Sequence, residues 1–337
     1  MELWTTEALC PLWPFSSLYK SNVNHWLSQQ QRRVAHLEKQ REKRHELTDN
    51  NRKQCELFIE QFEKKCMEDE SMQCESPNTS NTPKNKRSKL KLMHSEWLTE
   101  IPEDLDDDWL VKFAPEGFRI LLIARKHITT CYNKNGKIVL KIKTHFPGGG
   151  WSDNNGLTVL DCIYNNKIKT IYVLDCLFWN SMSTIDSEAN FRFFWLKSKF
   201  DEQSELLKTE KYTFTLIHFM PAQRPLIQDN IFTSLQAEDK ILYNGVVFYH
   251  KDSHYTFGYT PLVAWLSVFM LPEMLNIDIP EEYSMKTPVG YVCQQKYLAE
   301  LDEKMKKRAE LHAKRKKQWK RYDDNAQENL VEMETTS

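Results

Sequence analysis

The sequence predicts an α+β fold with mostly antiparallel sheets. Three observations indicate this class: short runs rich in Val, Ile, Tyr and Phe alternate with turn signals over residues 92–295, a polar stretch without Gly or Pro lies upstream, and a charged stretch lies downstream. Short runs of this composition are typical of strands, whereas polar stretches without helix breakers favour helices. The 337 residues suffice for one large domain with flanking segments.

The central domain, residues 92–295, contains the predicted strands. The runs with strand composition lie at 118–124, 137–143, 158–164, 170–179, 191–199, 212–219 and 245–250. Helices are expected near 106–112, 183–189 and 260–276. Turns are expected where Gly and Asn cluster, at 133–136 and 148–150.

The flanking segments differ in charge and composition. Residues 18–65 hold 11 Lys or Arg against seven Asp or Glu with few apolar side chains, which predicts a basic helical arm exposed to solvent rather than part of a core. Residues 66–91 are rich in Ser, Asn, Pro and charge, as expected of a disordered linker. Residues 296–337 predict a charged helix and tail, for which both a solvated role and contact with RNA phosphates stay open.

Composition argues against several classes of protein. Lys and Arg total 46 against 47 Asp and Glu, a net charge of -1, whereas a general nucleic-acid coat would be strongly basic. The eight cysteines form no C-x-x-C pair and no His lies at zinc-ligand spacing beside them, so we expect reduced thiols and no metal site. Neither a signal peptide nor a membrane-spanning run of 18 apolar residues is predicted.

A set of ordered motifs carries the most specific signal. The motifs are HSEWL (94–98), IPEDL (101–105), PEGFR (115–119), YNKNG (132–136), LDCIY (160–164), FRFFW (191–195) and TPLVAWL (260–266). In this order and spacing they closely resemble the cap-binding domain of the snurportin family. The resemblance covers about 180 residues, from Leu92 to near Met270.

This resemblance implies a fold like that of the mRNA guanylyltransferases, with the nucleotide pocket kept and the chemistry lost. It also implies a nuclear import adaptor that binds the 2,2,7-trimethylguanosine cap of spliceosomal small nuclear RNAs, needs no cofactor, and shuttles between cytoplasm and nucleus. Guanylyltransferases and ligases attach the nucleotide to the Lys of a K-x-D-G motif, and the nearest segment here, KFDE (199–202), lacks the Gly. We therefore expect no catalytic residue.

The resemblance assigns roles in cap binding to seven positions. The cap base carries a positive charge and is flat, so it favours an aromatic face. Trp265 matches the stacking tryptophan and Trp97 the residue beside the methylated edge, while Ser95 matches a serine that contacts the base. The basic positions near the ribose and phosphates are matched by Arg119 and Lys134. The other two positions depart from the family pattern: His94 stands where Leu is common, and Phe118 replaces a basic residue.

The segment 18–65 resembles the importin-β-binding arm of the same family. Its candidate contacts are Arg32, Arg33, Arg41, Lys43 and Arg44, although interspersed Glu residues dilute the basic charge. Residues 1–17 lie where the family binds an exportin for recycling, but their sequence is divergent. The basic cluster at 84–89 is a second candidate import signal, and solubilising linker charge is the alternative.

Three alternatives stay open from the sequence. The domain could be an active nucleotidyltransferase despite the missing K-x-D-G. It could bind a monomethyl cap, for which Glu96 is the only nearby carboxylate that could read the guanine amino group. Finally, a Trp within TPLVAWL would by composition alone be a core residue.

Overall fold

The structure is a computed structural model that describes residues 28–44, 92–151, 156–203, 209–236, 240–308 and 310–311. The predictions for 1–17, for the linker 66–91 with its basic cluster at 84–89, and for the tail beyond 311 lie outside these residues. Contacts divide the chain into a unit Leu27–Thr287 and a second unit, which holds Met1–Trp26 and Pro288–Ser337. The site described below lies entirely in the first of these units.

The first unit contains helices and strands in mixed order. Its helices are α1 (Gln29–Arg44), α2 (Leu105–Asp108), α3 (Ala189–Glu202), α4 (Arg224–Gln236), α5 (Leu271–Leu275) and α6 (Glu281–Ser284), with a 3-10 turn at Val268–Met270. Its strands are β1 (Met93–Trp97), β2 (Trp109–Pro115), β3 (Phe118–Arg125), β4 (Ile128–Asn133), β5 (Ile138–Ile142), β6 (Thr158–Asn165), β7 (Thr170–Trp179), β8 (Met182–Ser183), β9 (Thr213–Leu216), β10 (Phe219–Pro221), β11 (Tyr243–His250) and β12 (Gly258–Ser267).

The strands form two sheets. One sheet has five strands in the order β1-β12-β11-β2-β10, and the other has seven, in the order β5-β4-β3-β6-β7-β8 with β9 paired to β7. Among the described strands only the β1–β12 and β7–β9 pairs are parallel. The predicted α+β class with mostly antiparallel sheets is therefore confirmed.

The two sheets pack face to face through a shared apolar core. Leu110, Val247 and Val263 of the five-stranded sheet join Leu121 and Val159 of the seven-stranded sheet in one buried cluster. We call this the inter-sheet core. A second cluster joins the other face of the seven-stranded sheet to helix α3. The division follows from strand alternation, which sends successive side chains of β3 to opposite faces.

Helix α1 begins at a capping box. The backbone N–H of Gln31 donates to Ser28 Oγ at 3.2 Å, and the N–H of Ser28 donates to Gln31 Oε1 at 3.1 Å. This reciprocal pair satisfies two backbone donors at the helix start. The prediction that the arm is exposed to solvent is wrong for one face of α1, because Gln29 and Arg33 are buried.

The predicted strand at 191–199 is wrong: this run lies in helix α3. A strand would bury alternate residues, whereas the chain buries Arg192, Phe193, Leu196 and Phe200, at helical spacing. The helix is favoured because it brings Arg192 against the buried carboxylate of Asp175. Composition could not reveal this, since short aromatic runs occur in both strands and helices.

The three predicted helices of the central domain were placed wrongly or only in part. Residues 260–267 belong to strand β12, and helix α5 covers only the end of the predicted range. The range 106–112 contains a short α2 followed by β2, and 183–189 precedes α3. The run TPLVAWL is continuously apolar because β12 lies between two other strands and is buried on both faces through most of its length, which removes the polar alternation.

The second unit is described over part of its C-terminal segment. Residues 294–308 are helical there, as are 310–311, within the range where one long helix was predicted. Across the described residues of both units, no helix combines the length and apolar character needed to cross a membrane.

Candidate functional site

Two tryptophans lie side by side at one edge of the five-stranded sheet. Strand β1 pairs in parallel with β12, and the register makes Trp97 the partner of Trp265. Partners in neighbouring strands share a face of the sheet, so the two indoles lie on the same face. Both are half-buried, and Trp265 also packs against the inter-sheet core. The two indoles thus form neighbouring, partly exposed aromatic surfaces at the margin of the inter-sheet core.

An irregularity in β1 separates the two halves of this edge. Ser95 pairs with Thr260 but Glu96 pairs with Ala264, so the register jumps between these two pairs. Bulges of this kind redirect side chains at sheet edges. Ser95 and His94 are half-buried, and the His94 ring lies 5.2 Å from that of Tyr259. The structure therefore brings Ser95, His94 and Trp97 to the same short stretch of edge strand.

Arg119 is held by a buried carboxylate. Its Nε donates to Asp161 Oδ1 at 2.8 Å, and its Nη2 donates to Asp161 Oδ2. Tyr255 OH donates to the same Oδ2 at 2.7 Å, and the N–H of Met93 donates to Tyr255 OH at 3.3 Å. This chain of hydrogen bonds connects β3 and β6 of one sheet to β1 of the other, so it fixes Arg119 relative to the tryptophan edge.

The electrostatics of this network keep Arg119 charged. Burial disfavours the guanidinium, but the charge and hydrogen bonds of Asp161 outweigh this effect and raise the pKa of Arg119 above its usual value. Burial and the nearby Asp161 raise the pKa of Tyr255 well above its usual value, so this hydroxyl stays a donor. Because an arginine carries five N–H groups, the pairing with Asp161 leaves donors for a phosphate or ribose.

Lys134 and Phe118 lie at the same end of the seven-stranded sheet as Arg119. Strand β3 pairs Ile120 with Asn133, so the antiparallel register brings Arg119 next to Lys134 in the following turn. Lys134 is exposed. Phe118 is also exposed, and its ring meets that of Tyr164 edge-on at 5.3 Å. Because consecutive residues of a strand point to opposite faces, Phe118 lies on the face opposite to Arg119. The structure thus brings Lys134 close to the held guanidinium of Arg119 but places Phe118 on the other face of the sheet.

Glu96 faces helix α1 and is already engaged. Arg32 Nη1 donates to Glu96 Oε1 at 2.8 Å, and Arg32 Nη2 donates to Oε2 at 3.1 Å. Gln29 Nε2 also donates to Oε2 at 3.3 Å and to the carbonyl oxygen of Trp97 at 3.2 Å. A carboxylate that has these partners and is only 5% exposed is poorly placed to read a ligand, since α1 covers it.

Arg33 also docks α1 on the domain. Its guanidinium lies 5.0 Å from the centre of the Trp109 ring and donates to the carbonyl oxygens of Glu100 at 3.1 Å and Pro261 at 3.4 Å. Burial lowers the pKa of Arg33 to about 10. Arg41 is exposed, and Lys43 and Arg44 fall in the last turn of the helix. The predicted importin contacts are thus divided between a docked face and the rest of the helix.

A buried group of charges lies beneath the site. Asp175 and Arg192 form a paired salt bridge at 3.0 Å with both side chains almost fully buried. Lys112 is also buried, with its Nζ donating to the carbonyl oxygen of Leu174 at 2.5 Å and lying 3.5 Å from the centre of the Phe193 ring. Burial lowers the pKa of Lys112 to about 7. No pattern in the sequence indicates a buried lysine inside β2.

Lys112 predicts a specific pH dependence of stability. With a folded pKa of about 7 and a usual value of 10.5, the unfolded chain binds more protons than the folded chain between these limits. The free energy of unfolding should therefore rise with pH in this window, by about 1 kcal/mol per unit from this group alone. Urea unfolding at pH 6, 7, 8 and 9 should show wild type gaining this amount over Lys112→Met above pH 7, whereas parallel profiles would contradict the lowered pKa.

The segment closest to a nucleotidyltransferase motif has no place in the site. Lys199 lies in α3, where its Nζ donates to Glu202 Oε2 at 2.7 Å, and Phe200 is buried in the second cluster. Lys199 thus has a surface role and Phe200 a packing role. No group of three or more potential metal ligands occurs among the described residues.

Residues 91–268 match the family described as "Snurportin1, m3G cap-binding domain". This stretch is more than half of the chain and contains both tryptophans, Ser95 and the Arg119 network. The chain belongs to the snurportin cap-binding domain family. The predicted resemblance is therefore confirmed, and the family domain ends with the 3-10 turn that follows β12.

Solved structures similar to this snurportin-family chain are DNA ligases. The ligase domain of M. tuberculosis LigD is 12% identical, with 53% of this chain and 59% of that chain covered and a TM-score of 0.39. A mycobacterial DNA ligase D complexed with ATP and MES is 13% identical, with 53% and 60% covered and a TM-score of 0.39. A Chlorella virus DNA ligase-adenylate is 11% identical, with 53% and 69% covered and a TM-score of 0.36. The chain spans less than two thirds of both mycobacterial ligase chains.

Two residues of the family domain that bear on the site were missed by sequence reasoning. Tyr255 completes the Arg119–Asp161 network, and Gly245 lies against the ring of Trp265. Asp161 itself is a structural carboxylate, since it accepts hydrogen bonds from Arg119 and Tyr255. A signal for Gly245 was available, since an isolated glycine inside a strand pattern often marks a close approach.

Proposed function

We propose that this chain is a non-enzymatic nuclear import adaptor that binds the 2,2,7-trimethylguanosine cap of spliceosomal small nuclear RNAs. The observation that carries the proposal is the paired Trp97 and Trp265 inside a domain of the snurportin family. In this proposal the adaptor shuttles between cytoplasm and nucleus, with importin-β as its import carrier and an exportin as its recycling partner.

The chemistry of the cap fits the side chains at this edge. The N7-methylated base is a flat cation, which an indole face attracts, so Trp265 is the stacking partner. The exocyclic nitrogen carries two methyl groups and has no donor left, so an apolar neighbour such as Trp97 suits it better than a carboxylate. Arg119 and Lys134 supply positive charge for the phosphate bridge, with Ser95 and His94 beside the base and Phe118 at the margin.

The state of Glu96 favours a trimethylated over a monomethylated cap. A monomethyl cap keeps amino donors that a carboxylate would accept. Glu96 was the candidate carboxylate, but it already accepts hydrogen bonds from Arg32 and Gln29. Its side chain is only 6% exposed, so a ligand would have to displace α1 to reach it.

The arm contributes the second half of the proposal. Arg32, Arg33, Arg41, Lys43 and Arg44 form a basic helix suited to an acidic carrier surface. Because Arg32 and Arg33 hold α1 on the domain, the carrier competes with Glu96 and with the carbonyl oxygens of Glu100 and Pro261 for these two side chains. Importin-β binding therefore requires α1 to leave its docking surface.

A fluorescence titration of the full chain tests the cap proposal. Trimethylated and monomethylated cap dinucleotides are each added to wild type and to Trp265→Ala. We expect tight binding of the trimethylated cap only, and a dissociation constant about tenfold to hundredfold higher in the variant, because base stacking is worth roughly 1–3 kcal/mol. Equal binding of both caps would overturn the specificity, and no binding of either would overturn the function.

Trp151→Ala is the matched control for this titration. Trp151 is exposed and lies beside His145, next to the turn that connects β3 to β4. Arg119 and Lys134 lie at the opposite end of that hairpin. The control removes one exposed indole from outside the site, so the cap affinity of Trp151→Ala should equal that of wild type.

A separate experiment tests the nucleotidyltransferase alternative. Incubation of the wild-type chain with a labelled nucleoside triphosphate and Mg²⁺ should leave no covalent adduct, and an adduct would favour that alternative.

A further inference from the structure

The ring of Trp265 lies directly on a glycine of the neighbouring strand. A Cβ atom added to Gly245 would be 2.3 Å from Cζ2 and 2.7 Å from Cε2 of Trp265. Both atoms belong to the six-membered ring of the indole. Distances below 3.0 Å do not occur for real side-chain carbons, so any other residue at this position would force the ring to move.

A left-handed backbone conformation does not explain this glycine, because Gly245 is absent from the glycines that have positive φ. It lies inside strand β11, paired regularly with β12 on one side, whereas the pairing with β2 on the other side shifts register between Tyr243 and Gly245. A glycine inside a strand weakens the strand, and it often marks a place where another group approaches the backbone closely. Here the space is taken by the indole, together with the carbonyl oxygen of Leu266 at 2.4 Å from the same added carbon.

Small residues continue across the sheet at this level. Gly245 pairs with Ala114 of β2 and with Ser267 of β12, so three small residues form one row across three strands. The next row contains Trp265, paired with Val247. Residues two apart on a strand share a face, so the row of small side chains lies beside the indole and on its side of the sheet.

We infer that Gly245 is a positioning residue for cap binding: its missing side chain lets the Trp265 indole lie flat against β11 and fixes the orientation of the stacking face. The inference rests on the proposed function, because it assigns a role to Gly245 within that cap site. A ring fixed before the ligand arrives loses less conformational freedom on binding, which favours affinity.

A double-mutant cycle in the full chain tests this role. Gly245→Ala is made in wild type and in Trp265→Phe, whose smaller ring keeps an aromatic face without the atoms nearest Gly245. In wild type we expect Gly245→Ala to raise the dissociation constant for the trimethylated cap by about tenfold or more. In the Trp265→Phe background the same change should alter it by less than about twofold.

The cycle separates the inference from the proposed function. An equal loss in both backgrounds, or no loss in wild type, would overturn the positioning role, since the effect would then not pass through the indole. The strain against the Leu266 carbonyl oxygen is common to both backgrounds and cancels. If wild type fails to bind the trimethylated cap, the proposed function fails, whatever the variants do.

A measurement on the wild-type chain tests the contact between Gly245 and Trp265 even if Gly245→Ala does not fold. The chain has nine glycines, so selective glycine labelling with protonated tryptophan gives a simple spectrum. A nuclear Overhauser effect from the Gly245 Hα atoms to the Trp265 ring should appear in the ligand-free protein and persist at saturation with the trimethylated cap. Its absence in the ligand-free protein would overturn the inference.

Discussion

Replacing Arg192 with methionine is expected to lower the free energy of unfolding by about 3–5 kcal/mol, the usual cost of removing one partner of a buried ion pair. Arg192 Nε and Nη2 donate to the two oxygens of Asp175 at 3.0 Å each. Its Nη1 donates to the carbonyl oxygens of Ser187 at 2.6 Å and Ser253 at 2.8 Å. Methionine fills a similar volume but leaves these four acceptors without Arg192, and Asp175 becomes a buried charge without its counter-ion.

Urea unfolding of wild type, Arg192→Met and Lys199→Met measures this effect. Lys199 belongs to the same helix and pairs with Glu202 at 2.7 Å, but both side chains are partly exposed. An exposed pair of this kind contributes about 0–1 kcal/mol, so Lys199→Met should stay close to wild type. An Arg192→Met protein within about 1 kcal/mol of wild type would show that the buried pair adds little net stability.

Replacing Glu96 with glutamine is expected to release helix α1 from the domain. Arg32 makes three hydrogen bonds to the Glu96 carboxylate, and the two side chains are only 11% and 6% exposed. Removing one charge of a buried pair costs about 3 kcal/mol, which corresponds to about a hundredfold in the docking equilibrium. Amide hydrogen exchange over residues 29–42 should therefore accelerate by up to this factor, because local opening then limits protection.

Glu103→Gln is the matched control for the docking experiment. Glu103 is exposed and lies seven residues further along the chain, so the same loss of charge should leave the exchange of α1 unchanged. Unchanged exchange in Glu96→Gln would instead mean that Arg33 and Gln40 hold the helix without Arg32. Under the proposed function, the released arm should also bind importin-β more tightly than the wild-type arm, since the domain no longer competes for Arg32.

Much of the strand pattern was predictable from local composition. The runs at 118–124, 137–143, 158–164, 170–179 and 245–250 all overlap strands of the structure, because Val, Ile, Tyr and Phe suit a buried pleated surface. The run at 212–219 is divided between β9 and β10, which belong to different sheets. The run at 191–199 is a helix whose buried Arg192 pairs with Asp175 of a distant strand, a contact that local composition does not encode.

The order of the short motifs was sufficient to identify the family, since this order can be read from the sequence without knowing how the segments pack. The resemblance also predicted Trp97 and Trp265 as cap contacts, and the β1–β12 register brings the two residues together. Arg119 was expected near phosphates, but its principal partner is Asp161, 42 positions further along the chain. No local pattern encodes a partner at that separation.

The docking of α1 and the contact of the Trp265 indole with Gly245 could be learned only from the tertiary structure. The buried residues of α1 are Gln29 and Arg33, with Gln40 half-buried, so polar side chains dominate the docked face and a periodicity argument could not detect it. Its docking is stabilised by hydrogen bonds to Glu96 and to carbonyl oxygens, and these acceptors are brought together only once β1 and β12 have paired. Local pattern therefore indicates most of the strands and the family of the domain, whereas polar contacts between distant segments exist only after the sheets have assembled.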